Sequence, residues 1–204
     1  MERLIDGYRR FRIDAWLRQR ERWDKLAKGQ SPETLVIACS DSRVDPQMVF
    51  DAAPGELFMV RNVAALVPRF EPDGGRHGVS AALEFGVRVL KVKQIVVLGH
   101  AMCGGIKALV DGAPKQARDF VEPWMSIAEP ALWRVTPPLD PAGLHDLYET
   151  EVVKLSLENL RTFPWIAEGE RDGRLALHAM RFDIRSGVLW RMSESGKFIP
   201  VDAH

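Results

Sequence analysis

Two short apolar runs rich in β-branched residues, Thr34-Leu-Val-Ile-Ala38 and Gln94-Ile-Val-Val-Leu98, constrain the fold of this chain more than any other feature. A continuous apolar run of this length, bounded by turn signals, is the pattern of a strand buried on both faces, as in a parallel sheet. The first run leads into Cys39-Ser-Asp-Ser-Arg43 and the second into Gly99-His-Ala-Met-Cys-Gly-Gly105. Both stretches then fall at carboxyl ends of strands, where open α/β sheets carry their functional groups. Together they hold both cysteines of the chain and one of its five histidines.

The segments around these runs alternate as an α/β fold requires. Residues 1–28 read as a helix, with Leu4, Tyr8, Phe11 and Ala15 near helical spacing, and Gly29-Gln-Ser-Pro32 stops it. Pro46 opens a short helix, Leu57–Val60 is a second strand, and residues 64–77 form a loop rich in Pro and Gly. Ser80–Leu90 is a helix, and Gly104-Gly105 leads into another through Leu109. Residues 115–136 look helical but broken at Pro123 and Pro130, and Asp140-Pro141 starts a helix running to about Thr162. Arg174–Phe182 is a fourth strand, and Val188–Met192 an antiparallel one at the edge. The predicted fold is α/β: a central, mostly parallel sheet of about four parallel strands plus an antiparallel edge strand, flanked by helices, with an N-terminal helical arm. With no repeat or linker, residues 1–204 read as a single domain whose arm is residues 1–30.

Lys and Arg total 28 against 28 Asp and Glu, so no net field draws nucleic acid or an anionic membrane, and neither partner is expected. No apolar run approaches the ~20 residues of a membrane span, and the first residues lack a signal-peptide pattern. Two cysteines after apolar strands do not make a disulfide scaffold. A cytoplasmic setting follows.

Cys39, His100 and Cys103 can meet at the strand ends as two thiolates and one imidazole, the donor set of a catalytic zinc with an open fourth position. Such a metal lowers the pKa of bound water far enough to supply hydroxide near neutrality. Asp41, two residues after Cys39, is placed to accept a hydrogen bond from that hydroxide or to ligate the metal itself, and Arg43 can hold it by a bidentate pair. Each part has an ordinary explanation when taken alone. A free cysteine in an apolar strand is a small buried hydrophobe, and His100-x-x-Cys103 arises by chance. The combination points to hydrolytic or hydration chemistry without naming a substrate.

Cys39-Ser-Asp-Ser-Arg-Val44, Pro54-Gly-Glu-Leu-Phe58, Arg61-Asn-Val-Ala64 and Gly99-His-x-x-Cys-Gly-Gly105 resemble the signature blocks of the β-class carbonic anhydrases, in that family's order and spacing. The similarity extends from Leu4-Ile-Asp-Gly-Tyr-Arg-Arg-Phe11, through Ala27-Lys-Gly-Gln-Ser-Pro32, to Ser156-Leu-Glu-Asn-Leu160 and Leu175-Ala-Leu-His178. The resemblance implies one Zn2+ per chain on Cys39, His100 and Cys103, with Asp41 and Arg43 as the catalytic dyad. It implies attack of zinc-bound hydroxide on carbon dioxide and release of bicarbonate. It places Gln30, Phe58, Val63 and Phe85 around the substrate, Gln30 reaching in from a neighbouring subunit, and gives the Gly104 amide an orienting role. From the residues alone, Phe58, Val63 and Phe85 read as plain core. A homodimer or larger homo-oligomer follows, with the arm wrapping its partner.

The chain departs from the family at several positions. Ala101 stands where members often have Ser, Phe85 where they often have Tyr, and Val89 where some plant members have a relay His. Proton export is therefore left to buffer, and His77 is only a weak substitute. Members gated by bicarbonate carry Trp three residues before the first cysteine; here Val36 occupies that place, so the ungated type is expected. Two other readings keep the same fold: a hydrolase of carbonyl sulfide or carbon disulfide, and a catalytically silent, zinc-stabilised binding or assembly protein.

Overall fold

The computed structural model describes residues 1–136 and 143–202. The chain forms two compact units, Met1–Ser31 and Pro32–His204.

The first unit is helical but not one helix. It comprises α1 (Glu2–Ile13), α2 (Ala15–Arg18) and α3 (Arg20–Leu26). The backbone leaves helical geometry at Asp14 (φ −123°, ψ −81°) and Gln19 (φ −106°, ψ 25°). A straight helix would hold Phe11 and Trp23 roughly 18 Å apart. The two breaks instead bring their rings edge to face at 5.9 Å, while Arg12 and Arg20 cover the Trp16 ring at 3.8 and 4.3 Å. Tertiary contact between aromatic rings, absent from the periodicity of the sequence, overrides the single helix expected over residues 1–28. No residue of the three helices is buried.

The second unit is built on a six-stranded sheet of order β2-β1-β3-β4-β5-β6. Its strands are β1 (Thr34–Cys39), β2 (Leu57–Asn62), β3 (Gln94–His100), β4 (Ala176–Phe182), β5 (Leu189–Met192) and β6 (Phe198–Pro200). The first four are mutually parallel and the last two antiparallel. The one strand that runs against the others, β5, is thus not the edge as expected: β6 pairs antiparallel to it and forms the edge. The Ser193 N–H donates to Lys197 O at 2.8 Å and closes the turn that returns the chain for one more short pairing.

The runs of β1 and β3 are buried on both faces, as their composition predicts. Leu35, Ile37, Ile95 and Val97 pack on one side with Leu83, Leu157, Leu160 and Phe163, and Val36, Ala38, Val96 and Leu98 on the other with Val44. The covering helices are α4 (Pro46–Val49), α5 (Gly78–Glu84), α6 (Gly104–Asp111), α7 (Val121–Met125), α8 (Glu129–Leu132), α9 (Leu144–Leu160) and α10 (Pro164–Arg171). Asp45 caps α4 by accepting from the N–H groups of Gln47 and Met48.

Three local outcomes differ from expectation. The helix predicted to Leu90 continues from α5 as a π turn over Phe85–Val89, where the Leu90 N–H reaches back to Phe85 O. A Cβ at Gly86 would come within 2.5 Å of Leu35 Cδ1, so the turn widens where it presses on β1. Pro123 and Pro130 do not break helices; each sits in a first turn, where no N–H is required. The Asp140-Pro141 start lies outside the described residues.

Candidate metal centre

Successive strands diverge at β1: the chain steps from it to β2 on one side and then to β3 on the other. A crevice outside the carboxyl ends of β1 and β3 is the expected ligand position of such a sheet. Cys39 ends β1 and His100 ends β3, with Ala38 paired to Leu98, and Cys103 follows three residues later as the N-cap of α6.

The Sγ atoms of Cys39 and Cys103 lie 3.9 Å apart. One ligand atom from each of Cys39, His100 and Cys103 falls within 4.8 Å of the other two, and all three residues are buried. His100 Nδ1 is 2.8 Å from Ala101 O, which can only accept, so Nδ1 carries the proton and Nε2 the lone pair. That Nε2 is buried and has no hydrogen-bond partner. An unpaired acceptor beside two free thiols fits a cation that takes soft and imidazole donors. The thiols themselves act on each other. The hydrogen bond from Cys103 holds Cys39 down at about 4, and the same contact, with burial, pushes Cys103 up. The Ile106 and Gly105 N–H groups at the start of α6 oppose that rise, as expected of a thiol at a helix amino end.

Asp41 is tied by both oxygens to Arg43: Oδ1 accepts from the Arg43 backbone N–H at 3.0 Å and from Nε at 2.9 Å, and Oδ2 accepts from Nη2 at 2.7 Å. The Arg43 hydrogen bond holds the carboxyl well below the ordinary carboxylate range. Asp41 Oδ2 stands 3.8 Å from His100 Nε2. Arg43 Nη2 also donates to Met102 O at 2.9 Å, joining the two ligand-bearing loops. Met102 is left-handed at φ 60°, a strained conformation for a residue with a side chain, and that carbonyl contact helps to hold it.

Sequence reasoning passed over Arg61 as one residue of a motif. The structure shows its guanidinium donating to three carbonyls of the first loop, Cys39 O at 3.0 Å, Asp41 O at 2.7 Å and Val44 O at 2.8 Å. Next to it, Asn62 bridges Leu66 through both its amide atoms and steadies a turn in which Ala64 and Ala65 have positive φ. Glu149 and Arg181 were also missed. An arginine inside the apolar run of β4 was the available signal.

The residues expected around a substrate separate into two places. Val63 packs with the cluster containing Cys39 and Cys103, and a Cβ on Gly105 would meet its Cγ1 at 2.8 Å, so glycine is required there. Gly104, at the start of α6, is exposed, and nothing lies within 4 Å of where its Cβ would be. Phe58 and Phe85 stack on each other at 5.9 Å. Phe58 pairs with Leu35, four residues before Cys39, so this pair lies roughly 13 Å down the sheet from the ligands. Gln30, in the helical unit, is exposed. Two hollows among the described residues, of about 750 and 790 Å³, surround the 68–78 loop and include none of Cys39, His100 and Cys103.

The family model described as "Carbonic anhydrase" covers residues 34–189, and the chain belongs to that family. Its relatives are of the β class. Beta carbonic anhydrase 3 of Arabidopsis thaliana is 35% identical over 201 residues, covering 94% of this chain and 77% of the relative. The β-carbonic anhydrase CcaA superposes with a TM-score of 0.92 at 30% identity, over 98% of this chain and 99% of the other. A Coccomyxa β-carbonic anhydrase, solved with acetazolamide, superposes at 0.78 with 27% identity, over 98% and 92% of the two chains. This protein is a carbonic anhydrase, the class its motifs resemble.

Proposed function

We propose that the chain catalyses the reversible hydration of carbon dioxide to bicarbonate and a proton, using one zinc ion on Cys39, His100 and Cys103. The observation that carries this reading is the unpartnered, buried Nε2 of His100 converging with two sulfurs 3.9 Å apart. Two thiolates on one tetrahedral zinc, each at ~2.3 Å, stand roughly 3.8 Å apart, so the site requires little rearrangement. When bound, the metal acidifies a water in the open fourth position to near neutral pH and so supplies the nucleophile.

The remaining work falls to the chain. His100 presents a neutral Nε2 because Ala101 O holds the Nδ1 proton. Asp41, ionised by its pair with Arg43, accepts a hydrogen bond from the attacking water and points its lone pair at carbon. Held by Arg43 in this way, Asp41 would stay off a metal on Cys39, His100 and Cys103, which is the ungated arrangement. The water would give up its proton before attack, and that proton would leave to buffer, since Ala101, Phe85 and Val89 offer no relay; the C–O bond to carbon dioxide then forms and yields bicarbonate.

Val63 and the Gly104 amide bound the substrate from the same chain. Gln30, Phe58 and Phe85 complete the pocket from a second copy, since Phe58 and Phe85 stand far down the sheet from their own chain's ligands. A homodimer is the smallest assembly with a complete site. A cytoplasmic setting suits thiols that must stay reduced to bind the ion.

Stopped-flow hydration of carbon dioxide by protein carrying one zinc per chain tests the reading. Fast hydration at pH 7.5, rising with buffer concentration and abolished in Cys103→Ala, is the expected result. Turnover of carbonyl sulfide without hydration of carbon dioxide would overturn the substrate, and no turnover of either would leave the silent zinc protein.

A further inference from the structure

Cys103 reaches the metal-binding cluster proposed above from a short strained loop, and most polar backbone groups of that loop are hydrogen-bonded. Ala101 N–H donates to Phe182 O at 2.8 Å, Ala101 O accepts from His100, and Met102 O accepts from Arg43. The Cys103 N–H donates to a side chain, Glu149 Oε1, at 3.2 Å. The other oxygen of that carboxylate accepts twice from Arg181, from Nε at 3.0 Å and Nη2 at 2.7 Å. Glu149 is 3% exposed and Arg181 6%.

Burying an ion pair against an apolar sheet gives no net stability over hydrophobic residues of similar size. A leucine at position 149 would fill the space equally well. It could not accept from the Cys103 N–H, however, and an amide left unpaired there would carry its full desolvation cost. An acceptor is therefore needed at position 149, and because the acceptor there is a buried carboxylate, Arg181 is needed to neutralise it. The geometry around the pair supports this order. Arg181 sits opposite Gly99 in the sheet, one residue before His100. A Cβ on Gly99 would fall 2.3 Å from Val153 Cγ2, so α9 is pressed directly on β3 at that level. Glu149 lies one helical turn before Val153, which sets it over the loop. Arg181 Nη2 further contacts Asp146 at 2.7 Å, and Arg185 holds Asp146 from outside.

We propose that Glu149, fixed by Arg181, is a positioning residue for the metal centre: it pins the amide of Cys103 so that its sulfur is presented to the ion. This rests on the metal reading above. Neither residue touches substrate. Outer partners of this kind orient a ligand and tune its hold on the metal.

Two double variants separate positioning from packing, because neither leaves a buried charge alone. Glu149→Gln/Arg181→Met keeps an acceptor for the Cys103 N–H; Glu149→Leu/Arg181→Met removes it. Zinc affinity is read by competition with a chromophoric chelator, and ligand geometry by the thiolate charge-transfer and d–d bands of the Co2+-loaded proteins. The Gln/Met chain is expected to keep the wild-type affinity and spectrum. The Leu/Met chain is expected to lose about 10- to 100-fold in affinity and to shift its bands. Equal affinities and spectra in the two variants would overturn the inference while leaving the metal reading intact. Wild-type protein that binds no zinc would sink both. Amide exchange in the wild-type protein gives a check that does not depend on how a variant folds: the Cys103 amide is expected to exchange slowly, and rapid exchange in folded protein would also overturn the proposal.

Discussion

Arg43 is an exposed residue that holds three separate groups: both oxygens of Asp41 and, across the crevice, the carbonyl of Met102. Its exposure alone would suggest a surface ion pair of little worth, but the bidentate geometry and the link between two loops give it a larger effect. Arg43→Met frees Asp41, whose Oδ2 is already 3.8 Å from His100 Nε2, to move toward the ligand cluster. Carbon dioxide hydration at pH 7.5 should fall about 10- to 100-fold, the usual cost of losing an outer partner of a metal site. Zinc content should stay at one per chain, since none of the three ligands is altered. Stopped-flow rates beside metal analysis check this; unchanged turnover would mean that Asp41 is held in place by something other than Arg43.

At the scale of elements, the contact that sets the site is α9 against β3. Gly99→Ala puts a methyl where Val153 Cγ2 already sits, and α9 must retreat. Such overpacking costs about 1–3 kcal/mol, which urea denaturation would read as a lowered midpoint. Adding Val153→Ala to Gly99→Ala should cost less than the sum of the two single losses; simple additivity would show that the two residues do not share that space. The sequence makes β1 and β3 legible because strands buried on both faces carry their environment in their own composition. The grouping of Cys39, His100 and Cys103 is legible for the same reason, since each lies at, or within three residues of, the end of a recognisable strand. What was illegible depends on distant partners. The breaks at Asp14 and Gln19 answer to rings twelve residues apart, the π turn to Leu35 beneath Gly86, and the role of Glu149 to an amide 46 residues away. Helix α10 and strand β6 were overlooked for a different reason: one is two turns long and the other three residues, too short to set up a period.

For the whole molecule, the helical unit poses the clearest question of assembly. Leu4 is 72% exposed and Tyr8 61%, with Ile13 and Leu17 also exposed, and no residue of α1–α3 is buried. Apolar side chains at helical spacing that find no cover within their own unit are suited to a second copy. Leu4→Ser/Tyr8→Ser/Leu17→Ser is expected to lower the mass in light scattering and to cut turnover with it, because Gln30 belongs to the same unit. A variant of unchanged mass and full activity would remove the arm from the assembly. The split origin of the ligands bears on how the protein is made. Cys39 and Cys103 are separated by 64 residues, and Glu149 and Arg181 come later still. As the ribosome extends the chain, the first thiol emerges long before any partner with which it could chelate. A nascent chain thus offers an ion one sulfur at a time, and only a nearly finished, already paired sheet offers the full set. Many small zinc modules gather themselves around their ion; on the function proposed above, an ion on Cys39, His100 and Cys103 would be the last component to arrive.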